Sequence, residues 1–211
     1  PDDIAAVEHA YALMAKAAGV RMSETCIIEG ADARRYFATR RFDRDGGARL
    51  HVRTASGLLY ADSRTPSLDY RDLIRLTRYV TRDRREAAHM YRLAVFNVLA
   101  HNRDDHARQF SFLMDREGVW RLAPAYDLTC SDGPGGEHST SILGEGRAVG
   151  RDTLVALARE SDLRASEAEA VIEAVCAALA DWPPRAEEAG VTRASREQVA
   201  RRLDAARSAL D

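Results

Sequence analysis

Two acidic residues are placed where they could do chemistry together. Asp104 lies in the polar run His101-Asn102-Arg103-Asp104-Asp105-His106, and Asp127 closes Pro124-Ala125-Tyr126-Asp127. Between them, Phe110-Ser111-Phe112-Leu113-Met114 and Val119-Trp120-Arg121-Leu122 read as two strands joined by a turn at Asp115 to Gly118. A hairpin brings the chain back to where it began, so the spacing predicts that both carboxylates share one cleft. Such a pair suits a hard divalent cation with oxygen ligands, or a catalytic base beside a metal-binding acid.

Protein kinases divide the work in this way, with a base that takes the substrate hydroxyl proton, an amide ligand shortly after it, and a second Asp on magnesium. On that logic Asp104 is the base, Gln109 takes the amide position and Asp127 is the metal ligand. Taken singly, Asp104 and Asp105 also read as turn and cap residues after a helix. A metal-dependent phosphoesterase could use the same two carboxylates.

The elements that must hold these residues follow from periodicity. Residues 3 to 18 put Ile4, Val7, Ala10, Tyr11, Met14 and Ala18 on one helical face, with Asp2 and Asp3 as caps and Gly19 as a stop. Cys26 to Ile28 and Tyr36 to Phe42 read as short strands, followed by a turn at Gly46-Gly47. A helix within Pro66 to Val80 can be capped by Asp69. Asp83 to His101 carries the wide apolar stripe Met90, Tyr91, Ala94, Val95 and Val98 of a buried helix. Ser131 to Gly150 reads as a glycine-rich loop whose glycines permit mobility. Beyond it, Ser166-x-x-Glu169 and Ser195-x-x-Gln198 read as capping boxes opening two helices, with Trp182-Pro183-Pro184 as a helix stop.

Composition narrows the chemistry further. The 211 residues carry Lys+Arg 31 against Asp+Glu 33, a net charge of -2 that offers no global field for nucleic acid or anionic membrane. Lys16 is the one lysine; every other cation is arginine. Cys26, Cys130 and Cys176 form no C-x-x-C pair and each reads as a reduced, small core hydrophobe. No apolar run approaches the ~20 residues of a membrane span, so the chain reads as soluble and cytoplasmic. The histidines lack zinc-ligand spacing, and Gly133-Pro134-Gly135-Gly136 lacks the strand and lysine of a phosphate loop.

Three ordered motifs identify a family resemblance. Asp104-Asp105-His106-Ala107-Arg108-Gln109 and Leu122-Ala123-Pro124-Ala125-Tyr126-Asp127 resemble the D-x-H-x-K-N and L-x-P-x-Y-D signatures of HipA-type serine/threonine kinase toxins. Arg41-Phe42-Asp43-Arg44 is similar to the R-F-D-R of that family, at the hinge where adenine binds. The resemblance implies an α+β, mostly α fold: the helical large, C-terminal lobe of a protein-kinase-like fold with a short catalytic β-hairpin. It implies ATP and magnesium as cofactors, with the Arg40, Arg41 and Phe42 backbone on adenine and Asp43 near the nucleotide. His106, Arg108 and Tyr126 join that nucleotide site, and Asp104, Gln109 and Asp127 keep the roles given above. Arginine at 108 can neutralise phosphate as lysine would, through a bidentate fork. Gln109 departs from the usual Asn by one methylene, which bears on magnesium affinity. The segment from Gly133 to Gly150 falls where kinases keep an activation or substrate-docking loop.

A kinase also needs a phosphate-covering loop and a strand lysine paired with a helix Glu. Lys16 belongs to the first helix and is a poor candidate for that lysine, whereas Glu8 is suited to pair with one supplied from elsewhere. The expected organisation is therefore residues 1–44 as a helix and hinge strands joining an absent or truncated N-lobe, and residues 45–211 as the HipA-like C-terminal lobe. That pattern reads as a lobe cut from a longer or split kinase. The partners implied are a helix-turn-helix, HipB-like antitoxin, a protein substrate such as an aminoacyl-tRNA synthetase, and DNA only through the antitoxin. Gln109 and the missing lysine also fit a catalytically silent module that docks a partner.

Overall fold

The computed structural model describes residues 3–32, 34–61 and 68–211 as a mixed α and β fold, about half of it helix. Helix α1 (Ile4–Ala17) leads into an antiparallel hairpin of β1 (Thr25–Glu29) and β2 (Arg35–Thr39). A tighter hairpin follows, β3 (Arg44–Asp45) and β4 (Ala48–Arg49), turned by Gly46 and Gly47 at φ 53° and 88°. Positive φ at both central residues is the requirement of a type I′ two-residue hairpin turn, which glycine meets without strain. Next come β5 (His51–Thr54), α2 (Ala55–Leu59), β6 (Leu68–Asp69), α3 (Tyr70–Thr81) and α4 (Arg84–Leu99).

Helix α4 is the central post. It packs against α3 and, later in the chain, α5 (Arg151–Ala158), α6 (Ala165–Ala180) and α8 (Arg193–Ser208). Met90, Tyr91, Ala94, Val95 and Phe96 are fully buried on it, each large side chain contributing about 1.5–3 kcal/mol of burial. Asp83 caps α4 by accepting from the Arg85 amide at 2.8 Å, and Asp69 caps α3 through Arg71 at 2.8 Å. Pro66, the expected start of the α3 region, lies outside the described residues.

The expected hairpin is present as β7 (Ser111–Met114) and β8 (Trp120–Leu122), and β5 adds a third strand in the order β5-β7-β8. Two contacts fix its mouth. The Arg21 guanidinium grips both Glu86 carboxylate oxygens at 3.1 Å and the Leu122 carbonyl at 3.0 Å. The Ala125 amide donates to the Arg21 carbonyl at 2.7 Å, so the segment after β8 runs beside the segment after α1. The Tyr11 hydroxyl, buried in α1, donates to the Ala100 carbonyl at 2.8 Å and ties α1 to the end of α4.

Several sequence expectations are corrected. Asp3 occupies the N-cap position of α1 but gives it no side-chain cap hydrogen bond; its carboxylate instead accepts from Thr192 and Ser195 near the C-terminal helix, and Asp2 lies outside the described residues. Ile4 is exposed, because the core stripe of α1 begins at Ala6. The second strand ends at Thr39, leaving Phe42 beyond it. Helix α6 opens at Ala165, where the Glu167 carboxylate accepts the Arg164 amide at 2.9 Å, and α8 is capped by Thr192, not Ser195. Trp182-Pro183-Pro184 opens α7 (Trp182–Glu188), since proline is tolerated in a first turn where no amide partner is needed. Cys26 is exposed and Cys130 and Cys176 are half-buried, so none of the three is a fully buried core residue.

The loop from Ser131 to Gly150 departs most from expectation. It holds a short 3-10 turn (Pro134–Gly136) and strand β9 (Thr140–Ser141), which pairs parallel to β6. His138, Ser139 and Thr140 are buried, so the middle of this segment is docked. Among the described residues, no helix is long and apolar enough to cross a membrane.

Candidate functional site

The loop leaving α4 reverses at His101, φ 53°, and runs as an irregular span to β7. Its backbone is anchored from outside: Ala55 and Ser56 amides donate to the Phe110 and Ala107 carbonyls at 2.8 and 3.1 Å. Successive side chains along it face opposite environments. Asp104 is 54% exposed at its side chain, whereas Asp105 is 0% exposed.

On the open side, His106 Nε2 lies 4.0 Å from Asp104 Oδ1, while its Nδ1 accepts the Arg108 amide at 3.3 Å. A neutral ring accepting at Nδ1 carries its proton on Nε2, the atom facing Asp104. The Arg108 side chain is exposed. The Gln109 amide nitrogen donates to Asp127 Oδ2 at 2.5 Å. Asp127 sits at φ 56°, a left-handed conformation that Asp tolerates better than most residues. Its charge also reaches Glu8 on α1, whose carboxyl is pushed up to about 7, first by burial and then by Asp127.

The Arg41-Phe42-Asp43-Arg44 motif meets the same place. The Phe42 and Tyr126 rings lie 5.6 Å apart, and the Tyr126 hydroxyl contacts Ser111 Oγ at 2.7 Å and the Arg108 carbonyl at 2.5 Å. Burial pushes the Tyr126 phenol up. Arg41 forms a fork on Asp43 at 2.8 and 2.6 Å, and Arg44 adds a contact at 2.5 Å. Hydrogen bonds from Arg41, with help from Arg44, hold the Asp43 carboxyl down at about 2. Arg40 turns away to Glu24, at 3.1 Å. Lys16 is exposed near the end of α1.

Thus Phe42, Arg108, Gln109, Tyr126 and Asp127 are joined by direct contacts, Asp104 stands with His106, and Asp43 is engaged by its arginine neighbours. Asp127 and Gln109 offer oxygen donors, the chemistry magnesium prefers. Among the described residues no three His, Cys, Asp or Glu side chains gather into a metal cage. That donor set fits a magnesium ion that keeps waters and phosphate oxygens and takes only one or two protein ligands.

Sequence reasoning did not find the residues behind the loop. The Asp105 carboxylate accepts from the Tyr70 hydroxyl at 2.8 Å and the Thr140 amide at 3.2 Å, and pairs with His138 Nδ1 at 2.9 Å. Asn97 donates to the Tyr70 hydroxyl and Asn102 to Asn97, at 2.8 and 2.9 Å. Asn97, an amide within the apolar stripe of α4, was the available signal, because a buried amide requires partners.

Comparison with known proteins gives a consistent picture. The family model of the HipA-like C-terminal domain matches residues 1–182. A structure of HipA from Shewanella oneidensis MR-1, in complex with HipB and operator DNA, is similar with TM-score 0.73 at 18% identity, covering 97% of this chain and 55% of that one. The chain therefore spans about half the length of that HipA. The Helicobacter pylori proinflammatory kinase CtkA is similar with TM-score 0.62 at 10% identity, covering 97% of this chain and 82% of that one. At these identities the likeness establishes the fold. No curated protein matches at the sequence level.

Proposed function

The chain belongs to the family of HipA-like C-terminal domains, and from that premise we propose that it is the catalytic lobe of a HipA-type, ATP- and magnesium-dependent protein serine/threonine kinase. The observation that carries this reading is the junction of three separated motifs through Tyr126. This residue packs on Phe42 of the hinge motif, accepts or donates with Ser111 of the hairpin, and donates to Arg108 of the Asp104 loop.

In this reading residues 1–44 supply helix α1 and the hinge, and residues 45–211 supply the lobe. Asp104, exposed and held in position by the loop, takes the proton of the substrate hydroxyl, and His106, 4.0 Å from its carboxylate, joins the nucleotide site beside the phosphates. Phe42 and the backbone of Arg40 and Arg41 line the adenine side, with Asp43 kept ionised by its arginine pair. Arg108 reaches toward phosphate. Asp127 and Gln109 would hold magnesium, which supplies charge neutralisation to the transferring phosphate. Gln109 donates to Asp127 through its amide nitrogen here, so its carbonyl oxygen must rotate toward an ion to serve as a ligand.

The lysine that grips the phosphates would come from a second lobe, and Glu8 is placed to receive it. By analogy with the HipA structure, which holds HipB and operator DNA, the partner is a HipB-like antitoxin. The family resemblance of the motifs, not that structure, suggests DNA contact only through the antitoxin and a translation protein such as an aminoacyl-tRNA synthetase as substrate. A second reading, a silent docking module, is favoured by Gln109 at the amide position and by Lys16 being the sole lysine. Phosphate transfer from radiolabelled Mg-ATP by the full-length kinase separates the two. Asp127→Asn is expected to cost at least about a hundredfold in rate while the protein stays folded. Transfer at the wild-type rate in Asp127→Asn, or none in the wild type, would contradict the kinase reading.

A further inference from the structure

The loop that carries Asp104 is clamped from behind by the segment after Asp127. Both sequence neighbours of Asp104 take part. Arg103 donates from its guanidinium to the carbonyls of Gly136 and Arg147, and its own carbonyl accepts from the Ser139 amide and hydroxyl, each at 3.0 Å. Asp105 is held by His138, Tyr70 and the Thr140 amide, while the Thr140 hydroxyl takes the Asp105 carbonyl. The Arg103 amide donates to Ser131 at 3.2 Å, and the His138 amide to Gly146 at 2.7 Å. Gly133, φ 66°, permits the closest approach, since a Cβ there would overlap the Glu137 carbonyl and Arg103.

We propose that Asp105 and His138 form a buried latch that docks residues 131–147 onto residues 103–105 and so fixes the backbone from which Asp104 projects. The His138 and Asp105 side chains are 2% and 0% exposed, so the pair is closed to solvent and makes no contact with a substrate. Both are positioning residues. Removing the imidazole leaves the Asp105 carboxylate with two of its three hydrogen-bond partners, the Tyr70 hydroxyl and the Thr140 amide, and frees the segment where it crosses Arg103. A buried acceptor that loses its partner is a large local penalty, and its relief is opening of the segment. The catalytic consequence of the latch rests on the kinase reading above; its structural consequence does not.

The test is amide hydrogen exchange on this chain, read residue by residue, in wild type, His138→Ala and His138→Asn. The Asn amide nitrogen stands close to where Nδ1 stood. In His138→Ala, the Arg103, Ser139 and Thr140 amides are expected to exchange about tenfold faster or more, while α4 and α6 are unchanged. His138→Asn is expected to restore most of that protection. Unchanged exchange at those three amides, or an equal rise through α4 and α6, would overturn the latch. In the full-length kinase His138→Ala should lower kcat about tenfold or more with KM for ATP within about twofold, again recovered by His138→Asn. A fall in stability with kcat unchanged would overturn the positioning role. A wild-type kinase without phosphate transfer overturns the kinase reading alone, since the exchange result stands apart from it.

Discussion

The two sides of the loop at residues 103 to 106 obey opposite rules. Behind it, the two terminal nitrogens of Arg103 are committed to carbonyls and the Asp105 carboxylate to a hydroxyl, an amide and an imidazole within the fold. In front, Asp104 is open to water with one histidine 4.0 Å away, and Arg108 extends into solvent. Neighbouring aspartates therefore divide the work of the loop: one is spent on holding the backbone still, and the other keeps lone pairs available for a ligand or a proton. A charge buried with its hydrogen bonds complete is a structural element. A charge held in place yet unsatisfied is what a reaction can use.

The strongest way to break this division is to strip the inner side. Asp105→Ala leaves Tyr70, His138 and the Thr140 amide without their acceptor, and unfolding by urea should show a loss of about 3–5 kcal/mol. A cost near zero would place Asp105 with the surface residues. The outer side is sharpened by Glu8, a smaller effect. Its folded carboxyl titrates at about 7, above its ordinary 4.5, so the native state binds the proton more tightly than the unfolded chain. Its contribution is then fully present below about pH 4.5 and is lost as pH rises toward about 7. Urea midpoints for wild type should decline over that window relative to Glu8→Gln, and equal slopes would show that Glu8 is not desolvated beside Asp127. In the kinase proposed above, a lysine seated on Glu8 would flatten the slope.

How much of this was legible in the sequence follows from range. The α3 and α4 helices announced themselves through local capping and periodicity, with Asp69 and Asp83 at their starts. The β7–β8 hairpin was legible because its partners are adjacent and its turn residues lie between them. Strand β5 was not, because His51-Val52-Arg53-Thr54 alternates too briefly and finds its partner 57 or more residues later, at Ser111 to Met114. The parallel β6–β9 pair is two residues long and its partners are farther apart still, as Leu68 with Thr140 and Asp69 with Ser141. Motif spelling singled out Asp104, Gln109, Tyr126 and Asp127, which keep fixed spacing around the hairpin, as the candidate outer site. The latch has no such spacing: His138 and Asp105 are separated by 33 residues and meet only through packing. The glycines that suggested a mobile loop instead allow close approach at Gly133.

The central claim is that Asp104 does chemistry and Asp105 does architecture. It is tested most directly by Asp104→Asn in the kinase proposed above, with phosphate transfer and urea unfolding measured on the same preparation. The account predicts a rate loss of about 10²–10⁴-fold, the scale of a removed general base, with stability within about 0.5 kcal/mol of wild type. Near wild-type transfer, or a stability loss as large as that of Asp105→Ala, would contradict it.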